Sequence, residues 1–340
     1  MALTVLVTGA AGFIGMHTCL RLLAAGHRVV GLDNLNAYYS PALKQARLAR
    51  LQALPGFSFI RADLSDTAAV AAAFAAHQPS HVVHLAAQAG VRHALEHPYD
   101  YSASNLTGAT AVLENCRRHG VRHLVFASSS SVYGGNTRVP FAETHPVDHP
   151  VSFYAATKRA NELMAHSHAH LFGLPVTMLR YFTVYGPWGR PDMAIWRFTD
   201  ALLAGRPIEV YAGGALERDF THVDDAVAAT VALLERPPSR QTSTDPARWQ
   251  ASSPDTSWAP FEVYNVGRSD PVSVNTLLAL LEQATGRQAL RQELGMQPGD
   301  VARTCADAGK LARAIGFSPS VPLAQGLAGF VAWFRKHHGR

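Results

Sequence analysis

The chain has 340 residues, of which 48% are hydrophobic and 16% charged, and this balance excludes a disordered protein and allows one large domain or two unequal ones. The formal net charge is +5, but the basic residues are scattered, so we expect no nucleic-acid surface; an anionic small molecule explains the excess equally well. The first residues lead directly into a strand, and no apolar run approaches the roughly 20 residues of a membrane helix, so we predict a cytoplasmic protein without a membrane segment. The three cysteines form no CxxC pair, so we predict no thiolate metal site.

The first half of the chain alternates short apolar strands with helical stretches. We predict strands at 3–9, 27–33, 57–64, 81–87 and 123–129, and helices at 13–25, 66–77 and 104–119. Repeated strand–helix units form a parallel sheet with helices on both faces. The predicted fold class is therefore α/β: a Rossmann-type doubly wound parallel sheet with a smaller α/β substrate-binding lobe.

The second half continues this pattern and then breaks into shorter pieces. We predict helices at 154–171, 194–204 and 222–236, and strands at 175–187 and 207–212. The predicted organisation is a nucleotide-binding domain at 1–183 to which 221–267 return, a second lobe at 184–220 and 268–335, and a mobile loop at 237–260. Trp249 and Trp258 are unusual in a free loop.

The stretch TGAAGFIG, between the first strand and the first helix, spaces Gly9, Gly12 and Gly15 as GxxGxxG. Glycines let the backbone turn tightly and approach a pyrophosphate, and the N-terminus of the following helix faces the phosphates. A lone motif of this kind can also be an ordinary tight turn. The surrounding strand–helix pattern favours a dinucleotide.

Two acidic residues follow neighbouring strands. Asp33 ends the second strand, where a carboxylate can bind the adenosine ribose hydroxyls and would repel a 2′-phosphate, so NAD is favoured over NADP. Asp63 follows the third strand and could reach the adenine amino group. A role as N-cap of the next helix is nearly as plausible for Asp63, because aspartate caps helices well.

The sequence YAATK places Tyr154 and Lys158 four residues apart on one face of a helix. A tyrosine, with an ordinary pKa of about 10, can act as a base near neutral pH when a neighbouring lysine charge lowers that value. Such a pair alone usually belongs to a helix surface. Four serines, 128–131, follow a buried strand, where open α/β sheets bind ligands.

These motifs together resemble the extended short-chain dehydrogenase/reductase family of nucleotide-sugar epimerases and dehydratases. The matching segments are TGAAGFIG, Asp33, HLAAQAGV, Asn105, SSSSVYG, YAATK and RYFTVYGP, and they run through most of the chain. Within the family, the segments AAQAGVRHALEHPYDYSASNLTG, LRYFTVYGPWGRPDMA and GMQPGDVARTCAD are most similar to the UDP-glucuronate 4-epimerases.

The resemblance implies an NAD-dependent enzyme that inverts C4 of a UDP-sugar. Tyr154 would be the base, Lys158 would hold the nicotinamide ribose and lower the tyrosine pKa, and Ser129 would share the proton of the substrate O4. The residues it implies for cofactor binding, including the catalytic pair, are Gly9, Gly12, Phe13, Ile14, Gly15, Asp33, Asn34, Asp63, Leu64, Leu85, Ala86, Ala87, Gln88, Asn105, Tyr154, Lys158 and Tyr181. Those it implies for substrate binding are Arg92, Ser129, Ser130, Ser131, Tyr154, Thr183, Arg190, Arg218 and Asp300.

Neutral side chains stand where related enzymes carry acids. Dehydratases and decarboxylases of the family have an acid at the position of Ser131, and dehydratases have another at Ser130, so this chain lacks the acid for elimination. A bidentate arginine suits the substrate carboxylate, and we assign Arg190, with Arg92 or Ser131 as alternatives. Gln297 replaces an arginine found in many related epimerases, so one diphosphate contact is missing.

Three closely spaced histidines, His166, His168 and His170, could bind a metal. Histidines near a helix C-terminus are favoured by the helix dipole, however, and we predict no metal site. The functional alternatives for the whole chain are a 4-epimerase of a neutral UDP-hexose and a non-catalytic NAD-binding sensor. The resemblance also implies a homodimer built from the helices at 104–119 and 154–171.

Overall fold

The computed structural model describes residues 2–240, 254–296 and 301–339. These residues divide into two compact units. The first unit comprises 2–136, 143–181 and the described part of 227–265, and the second comprises 137–142, 182–226 and the described part of 266–340. The assignment of one unit to the cofactor and the other to the substrate stays a prediction.

The first unit is built on a sheet of seven strands within the described residues. The strands are β1 (Thr4–Thr8), β2 (Arg28–Asp33), β3 (Phe57–Arg61), β4 (His81–His84), β5 (His123–Ser129), β6 (Val176–Tyr181) and, late in the chain, β10 (Phe261–Val266). Their spatial order is β10-β6-β5-β4-β1-β2-β3, and the pairs from β3 through β6 are parallel. The predicted doubly wound parallel sheet is confirmed. The strand order reverses between β1 and β4, the point where sheets of this kind bind ligands at the carboxyl edge.

Helices cover this sheet. They are α1 (Phe13–Ala24), α2 (Pro41–Gln52), α3 (Thr67–His77), α4 (His93–Glu96), α5 (Pro98–Tyr101), α6 (Gly108–Arg118) and α7 (Phe153–Phe172), followed after the second unit's first elements by α9 (Val223–Leu234). A π-helical turn, Ser102–Thr107, leads into α6, and a 3₁₀ turn, Ser130–Tyr133, follows β5. Their apolar faces share one core, exemplified by Val82, Val112, Phe126 and Met178, which are at most 1% exposed.

The longest helix of this unit, α7, has clear signals at both ends. The Ser152 hydroxyl accepts a hydrogen bond from the Ala155 amide at 3.1 Å, which caps the helix N-terminus. Gly173 follows the last turn with φ +68°, a left-handed conformation that glycine adopts without steric cost. These two residues explain why the predicted helix at 154–171 agrees with the observed bounds to within one residue.

The second unit contains two smaller sheets. Its elements are β7 (Thr183–Tyr185), α8 (Ala194–Ala204), β8 (Ile208–Tyr211), β9 (Glu217–His222), β11 (Pro271–Ser273), α10 (Val274–Thr285), β12 (Arg291–Leu294), α11 (Gly309–Ile315) and α12 (Leu323–His338). Strand β9 lies between β11 and β7, and β12 pairs with β8. A separate core forms around Phe220, Leu277 and Phe330.

One predicted strand, 175–187, is divided in the structure. Strand β6 pairs with β5 as far as Tyr181 opposite Ser129, where β5 ends. Beyond that residue the partner is gone, and Thr183–Tyr185 pair with β9 in the second unit instead.

The end of the predicted mobile loop, residues 254–260, makes specific contacts. The Trp258 indole donates to Nδ1 of His170 at 2.9 Å, and His166 Nε2 lies 2.7 Å from the Ser257 hydroxyl. Residues 241–253, with Trp249, lie outside the described residues. Two of the three histidines that offered a metal alternative, His166 and His170, are thus bonded to this segment, and His168 Nδ1 lies 3.0 Å from the Met164 carbonyl of its own helix.

Membrane insertion has no support in the helices that the structure describes, since none combines the length and apolarity needed to cross a bilayer.

Candidate functional site

The glycine turn joins β1 to α1 with no room for side chains. A Cβ on Gly15 would lie 2.0 Å from the Gly9 carbonyl oxygen, and one on Gly9, whose φ is +71°, would lie 2.9 Å from the Ala86 amide nitrogen. The turn therefore packs directly against the segment after β4. Helix α1 begins at Phe13 with no acidic residue in its first turn, so its N-terminus is open to an anion. Phe13 is buried and Ile14 half-buried, which leaves their backbone amides as the groups for a phosphate.

Asp33 ties the end of β2 to this turn. Its Oδ2 accepts a hydrogen bond from the Ala11 amide at 3.1 Å, and its Oδ1 accepts one from the Leu35 amide at 2.8 Å. Burial raises the pKa of the Asp33 carboxyl, and the two amides and the Lys44 ammonium offset part of that rise. These hydrogen bonds hold the carboxylate at the carboxyl end of β2, and its ribose contact stays a prediction.

Asn34 and Asp63 lie just beyond the carboxyl ends of the paired strands β2 and β3. Asn34 Nδ2 donates to Asp63 Oδ2 at 2.7 Å, and both residues line an open pocket of about 480 Å³. The helix cap that competed with the adenine role of Asp63 belongs to Asp66, whose Oδ1 accepts from the Ala69 amide at 2.9 Å. The capping alternative was wrong because Asp63 lies four residues before α3. Hydrogen bonds from Ser65 and Asn34 outweigh burial and lower the Asp63 pKa. Leu64 is buried in the core.

The segment after β4 is held by two side chains. The Leu85 and Ala86 amides donate to the carbonyl and hydroxyl oxygens of Thr8, at 3.3 and 3.2 Å. Asn105, in the π-helical turn, accepts from the Gln88 amide at 2.8 Å and donates to the Gln88 carbonyl at 3.0 Å.

Asn105 also donates to the Thr157 hydroxyl of α7 at 3.0 Å. Its side chain thereby clamps the segment containing Ala87 and Gln88 to the helix that carries Tyr154. Within the described part of the chain, the buried Nε2 of Gln88 has no hydrogen-bond partner. A buried donor in this position fits a ligand acceptor. The direct cofactor contacts predicted for Asn105 and these neighbours stay predictions.

The four serines divide into two groups. Ser128 is buried, and its hydroxyl donates to Glu162 at 2.6 Å, so it belongs to the interior. Ser129, the last residue of β5, is half-buried, as are Ser130 and Ser131 in the 3₁₀ turn that follows. The Ser129 hydroxyl donates to the Ser131 hydroxyl at 3.1 Å and accepts from the Ser131 amide at 3.2 Å. Their hydroxyls therefore form a neutral polar edge at the end of the strand.

Lys158 reaches the same strand end from α7. Its ammonium donates to the Ala127 carbonyl at 2.9 Å, two residues before Ser129, and the side chain is buried. Burial lowers the Lys158 pKa to about 8, against the opposing charge of Glu162. Tyr154 lies one helical turn before Lys158 and is half-buried, with its ring 6.1 Å edge-on from Tyr101. The structure thus brings the tyrosine–lysine helix to the serine edge.

Sequence reasoning missed the ion pair behind this helix. Glu162 and Arg180 are both fully buried, with Arg180 Nε and Nη2 donating to the two carboxylate oxygens at 2.9 Å each. Burial raises the Glu162 pKa, but the Arg180 charge outweighs it and the pKa is lowered. One signal was available, because Glu162 follows Lys158 by four residues and continues the face of Tyr154 and Lys158.

The remaining predicted residues have partners of their own. The Tyr181 hydroxyl lies 2.6 Å from the Thr230 hydroxyl, and Arg92 is exposed at the start of α4. In the second unit, Thr183 begins β7, and an Arg218 Nη1 donates to the Glu217 carbonyl at 2.8 Å.

Arg190, the residue assigned to the substrate carboxylate, is held in a bidentate pair. Its Nε donates to Asp192 Oδ1 at 3.0 Å, and its Nη2 contacts the other oxygen. Asp300 and Gln297 lie outside the described residues. The substrate roles of these residues stay predictions.

The fold and the first unit's site define a class: dinucleotide-binding α/β proteins with a tyrosine–lysine pair at the carboxyl edge of the sheet. The model of the NAD dependent epimerase/dehydratase family matches residues 5–246, and the chain belongs to this family.

Full-length relatives extend this result. A probable UDP-glucuronate 4-epimerase of Rhizobium meliloti (strain 1021) is 46% identical over 335 residues, which cover 98% of each chain. The crystal structure of UDP-glucuronic acid 4-epimerase from Bacillus cereus, in complex with UDP-glucuronic acid and NAD, superposes with a TM-score of 0.86 at 31% identity, covering 98% of this chain and 99% of that one. The Thermus thermophilus UDP-glucose 4-epimerase complex with NAD gives 0.83 at 33% identity, with the same coverage.

The residues of the first unit fit the family's NAD cofactor. A Cβ would fill the turn at Gly9 and Gly15, where a pyrophosphate must approach the backbone. The Asp33 carboxylate at the end of β2 suits ribose hydroxyls and repels a 2′-phosphate. The unpartnered Gln88 Nε2 supplies a buried donor in the described part of the site.

The depressed Lys158 pKa predicts a pH-dependent stability difference between the wild type and Lys158→Met. Between about pH 8 and 10.5 the unfolded lysine binds more protons than the folded one, so the free energy of unfolding of the wild type rises relative to the variant. The slope cannot exceed about 1.4 kcal/mol per pH unit. Urea denaturation at several pH values measures it, with the surface variant Lys336→Met as the control. A wild-type minus variant difference that stays constant over this range would show that Lys158 is not perturbed.

Proposed function

We propose that the chain interconverts UDP-glucuronate and UDP-galacturonate by NAD-dependent epimerisation at C4. The observation that carries this proposal is the Lys158 bond to the Ala127 carbonyl, which brings the Tyr154 helix to a strand end that offers hydroxyls and no carboxylate. The activities for which the Rhizobium relative and the Bacillus enzyme are named support the uronic acid as substrate.

The protein's own groups handle the proton. Tyr154 takes the proton of the C4 hydroxyl and returns it to the C4 oxygen once the configuration is inverted. Lys158 places a positive charge one helical turn away, which stabilises the tyrosinate. Ser129, whose hydroxyl can donate or accept, shares the same proton. When bound, NAD supplies a nicotinamide ring that accepts a hydride from C4 and gives it back.

The neutral serine edge limits what happens to the oxidised sugar. Elimination of water needs an acid beside the leaving hydroxyl, and Ser130 and Ser131 provide only weakly acidic hydroxyls. The 4-keto sugar therefore rotates within the site and is reduced on its other face. Because a 4-keto-uronic acid is a β-keto acid that readily loses carbon dioxide, its carboxylate must also be held away from the carbonyl π system. A bidentate arginine suits this task, and Arg190 is the proposed residue.

A neutral UDP-hexose is the second candidate substrate. The Thermus UDP-glucose 4-epimerase, similar in fold and slightly higher in identity than the Bacillus structure, supports it. A non-catalytic sensor has less support, because Ser129, Tyr154 and Lys158 are all present and the last is held in place.

We also propose that two copies associate through α6 and α7. Leu163, Leu171 and Phe172 of α7 are 56%, 65% and 49% exposed, an apolar surface that a second copy would cover.

The proposed function is tested by incubating the purified protein with UDP-glucuronate and with UDP-glucose separately and following the products by NMR. We expect UDP-galacturonate from the first and little product from the second. Conversion of UDP-glucose alone would establish the neutral substrate instead.

Tyr154→Phe should bind NAD normally and retain less than about a tenth of wild-type kcat, a loss above ~1.4 kcal/mol, because only the proton acceptor is removed. Tyr211→Phe is the control, and equal activity in both variants would remove Tyr154 from its role.

The Asp192 pair makes the Arg190 assignment testable in two directions. Arg190→Ala should slow epimerisation of UDP-glucuronate and release carbon dioxide, because the keto acid loses the contact that holds its carboxylate. Asp192→Asn removes the competing carboxylate and should lower KM for UDP-glucuronate but not for UDP-glucose. Slower turnover of Arg190→Ala without carbon dioxide would assign the carboxylate to another residue, such as Arg92.

The dimer is tested by light scattering on Leu163→Asp, with Leu290→Asp in the second unit as a control of nearly the same exposure, 57% against 56%. Only the first variant should become monomeric. A wild-type monomer at working concentration would contradict the proposal.

A further inference from the structure

A group of metal-ligating side chains lies between β4 and the π-helical turn that leads into α6. His93, His97 and Asp100 each offer one ligand atom, and these three atoms lie within 4.8 Å of one another. The two imidazole rings are stacked, with centroids 4.3 Å apart and planes at 26°, and His93 Nε2 is 3.9 Å from an Asp100 carboxylate oxygen. These three residues were not predicted as a metal site from the sequence, where only the histidines of α7 suggested a metal and none was assigned.

The backbone explains why these three residues converge. His97 has φ −126° and ψ 53°, outside the helical region, and it joins the short helices α4 and α5. The break turns the chain so that Asp100, in the first turn of α5, lies close to His93. His93 is held from behind by aromatic rings, with centroids 4.8 Å from Tyr38 and 6.1 Å from Tyr101. His93 is thus held in position, whereas the exposed side chains of His97 and Asp100 can change conformation.

We propose that His93, His97 and Asp100 bind a divalent transition-metal ion such as Zn²⁺, with water completing the coordination. Two imidazoles and one carboxylate are a common protein ligand set for zinc and suit magnesium or calcium poorly. Tetrahedral coordination with bonds of about 2.0–2.2 Å needs ligand atoms about 3.3–3.5 Å apart. Rotation of the exposed His97 and Asp100 side chains closes the remaining gap.

One residue, Tyr101, lies between the proposed metal site and Tyr154. Tyr101 is buried, and its hydroxyl donates to the Ala89 carbonyl at 2.9 Å and also bonds the Gly90 carbonyl. Its ring meets His93 on one side and Tyr154 on the other, at 6.1 Å in both cases. An ion that links α4 to α5 restrains Tyr101, whose ring contacts Tyr154. We therefore expect metal binding to slow turnover, a consequence that rests on the proposed function, whereas the binding itself does not.

The binding test uses tag-free, chelator-treated protein titrated with Co²⁺, whose visible absorption is intense in tetrahedral sites and weak in octahedral ones, and with Zn²⁺ by calorimetry. We expect one tetrahedral equivalent in the wild type. His97→Ala and Asp100→Asn alter exposed side chains and should fold normally, as melting curves check. Each should lower the affinity by more than the roughly 10–100-fold typical of a change outside the ligand set. His77→Ala, on α3, should bind as the wild type does. Unchanged stoichiometry and affinity in His97→Ala, or no tetrahedral Co²⁺ spectrum in the wild type, would overturn the site.

The kinetic test compares Zn²⁺ inhibition of wild type and His97→Ala with UDP-glucuronate. Inhibition of the wild type that is lost in the variant supports the link through Tyr101. Binding without inhibition would overturn that link and leave the site standing. A chain with no epimerase activity at all would overturn the proposed function, and the Co²⁺ spectrum would still decide the metal site.

Discussion

The position of α7, the helix that carries Tyr154 and Lys158, depends on the buried ion pair between Glu162 and Arg180. Both side chains are fully removed from solvent, and the bidentate pair is extended by the Ser128 hydroxyl on one side and the Tyr133 hydroxyl, 3.1 Å from Arg180, on the other. Four elements, β5, the turn after it, α7 and β6, thereby meet at one charged centre. Removing one member of such a pair leaves an uncompensated buried charge, which costs about 3–5 kcal/mol. The charges are thus tolerated only in the arrangement that sets the rotation of α7.

That rotation decides what faces the end of β5. With Glu162 held by Arg180, Lys158, one helical turn earlier, donates to the Ala127 carbonyl, and Tyr154, a further turn earlier, continues the same helix face. Asn105 clamps the same helix to the segment after β4 through Thr157. Hydrogen bonds therefore connect the strand before the glycine turn, Lys158 and the end of β5 within the first unit. The side chains of Ser130 and Ser131, in the turn after β5, are neutral, and we propose that they disfavour elimination of water.

Much of this arrangement was predictable from periodicity. The parallel sheet followed from alternating strands and helices, and α7 from its cap and terminal glycine, because these signals are local in the chain. Helix α2 was missed, and the strand at 175–187 was predicted as one piece, because its division at Tyr181 depends on where β5 ends. The Glu162–Arg180 pair joins residues 18 positions apart on different elements, and the Arg190–Asp192 pair is a side-chain choice within a loop. Neither leaves a periodic trace in the sequence.

In the proposed reaction, the hydrogen at C4 leaves the sugar and returns to the same carbon within one site. The most direct measurement uses UDP-glucuronate deuterated at C4 in ordinary water, and the unlabelled sugar in heavy water, with the product examined by NMR. We expect UDP-galacturonate that retains deuterium at C4 in the first case and gains none at C4 in the second. Loss of the label to solvent, or solvent deuterium at C4, would contradict it.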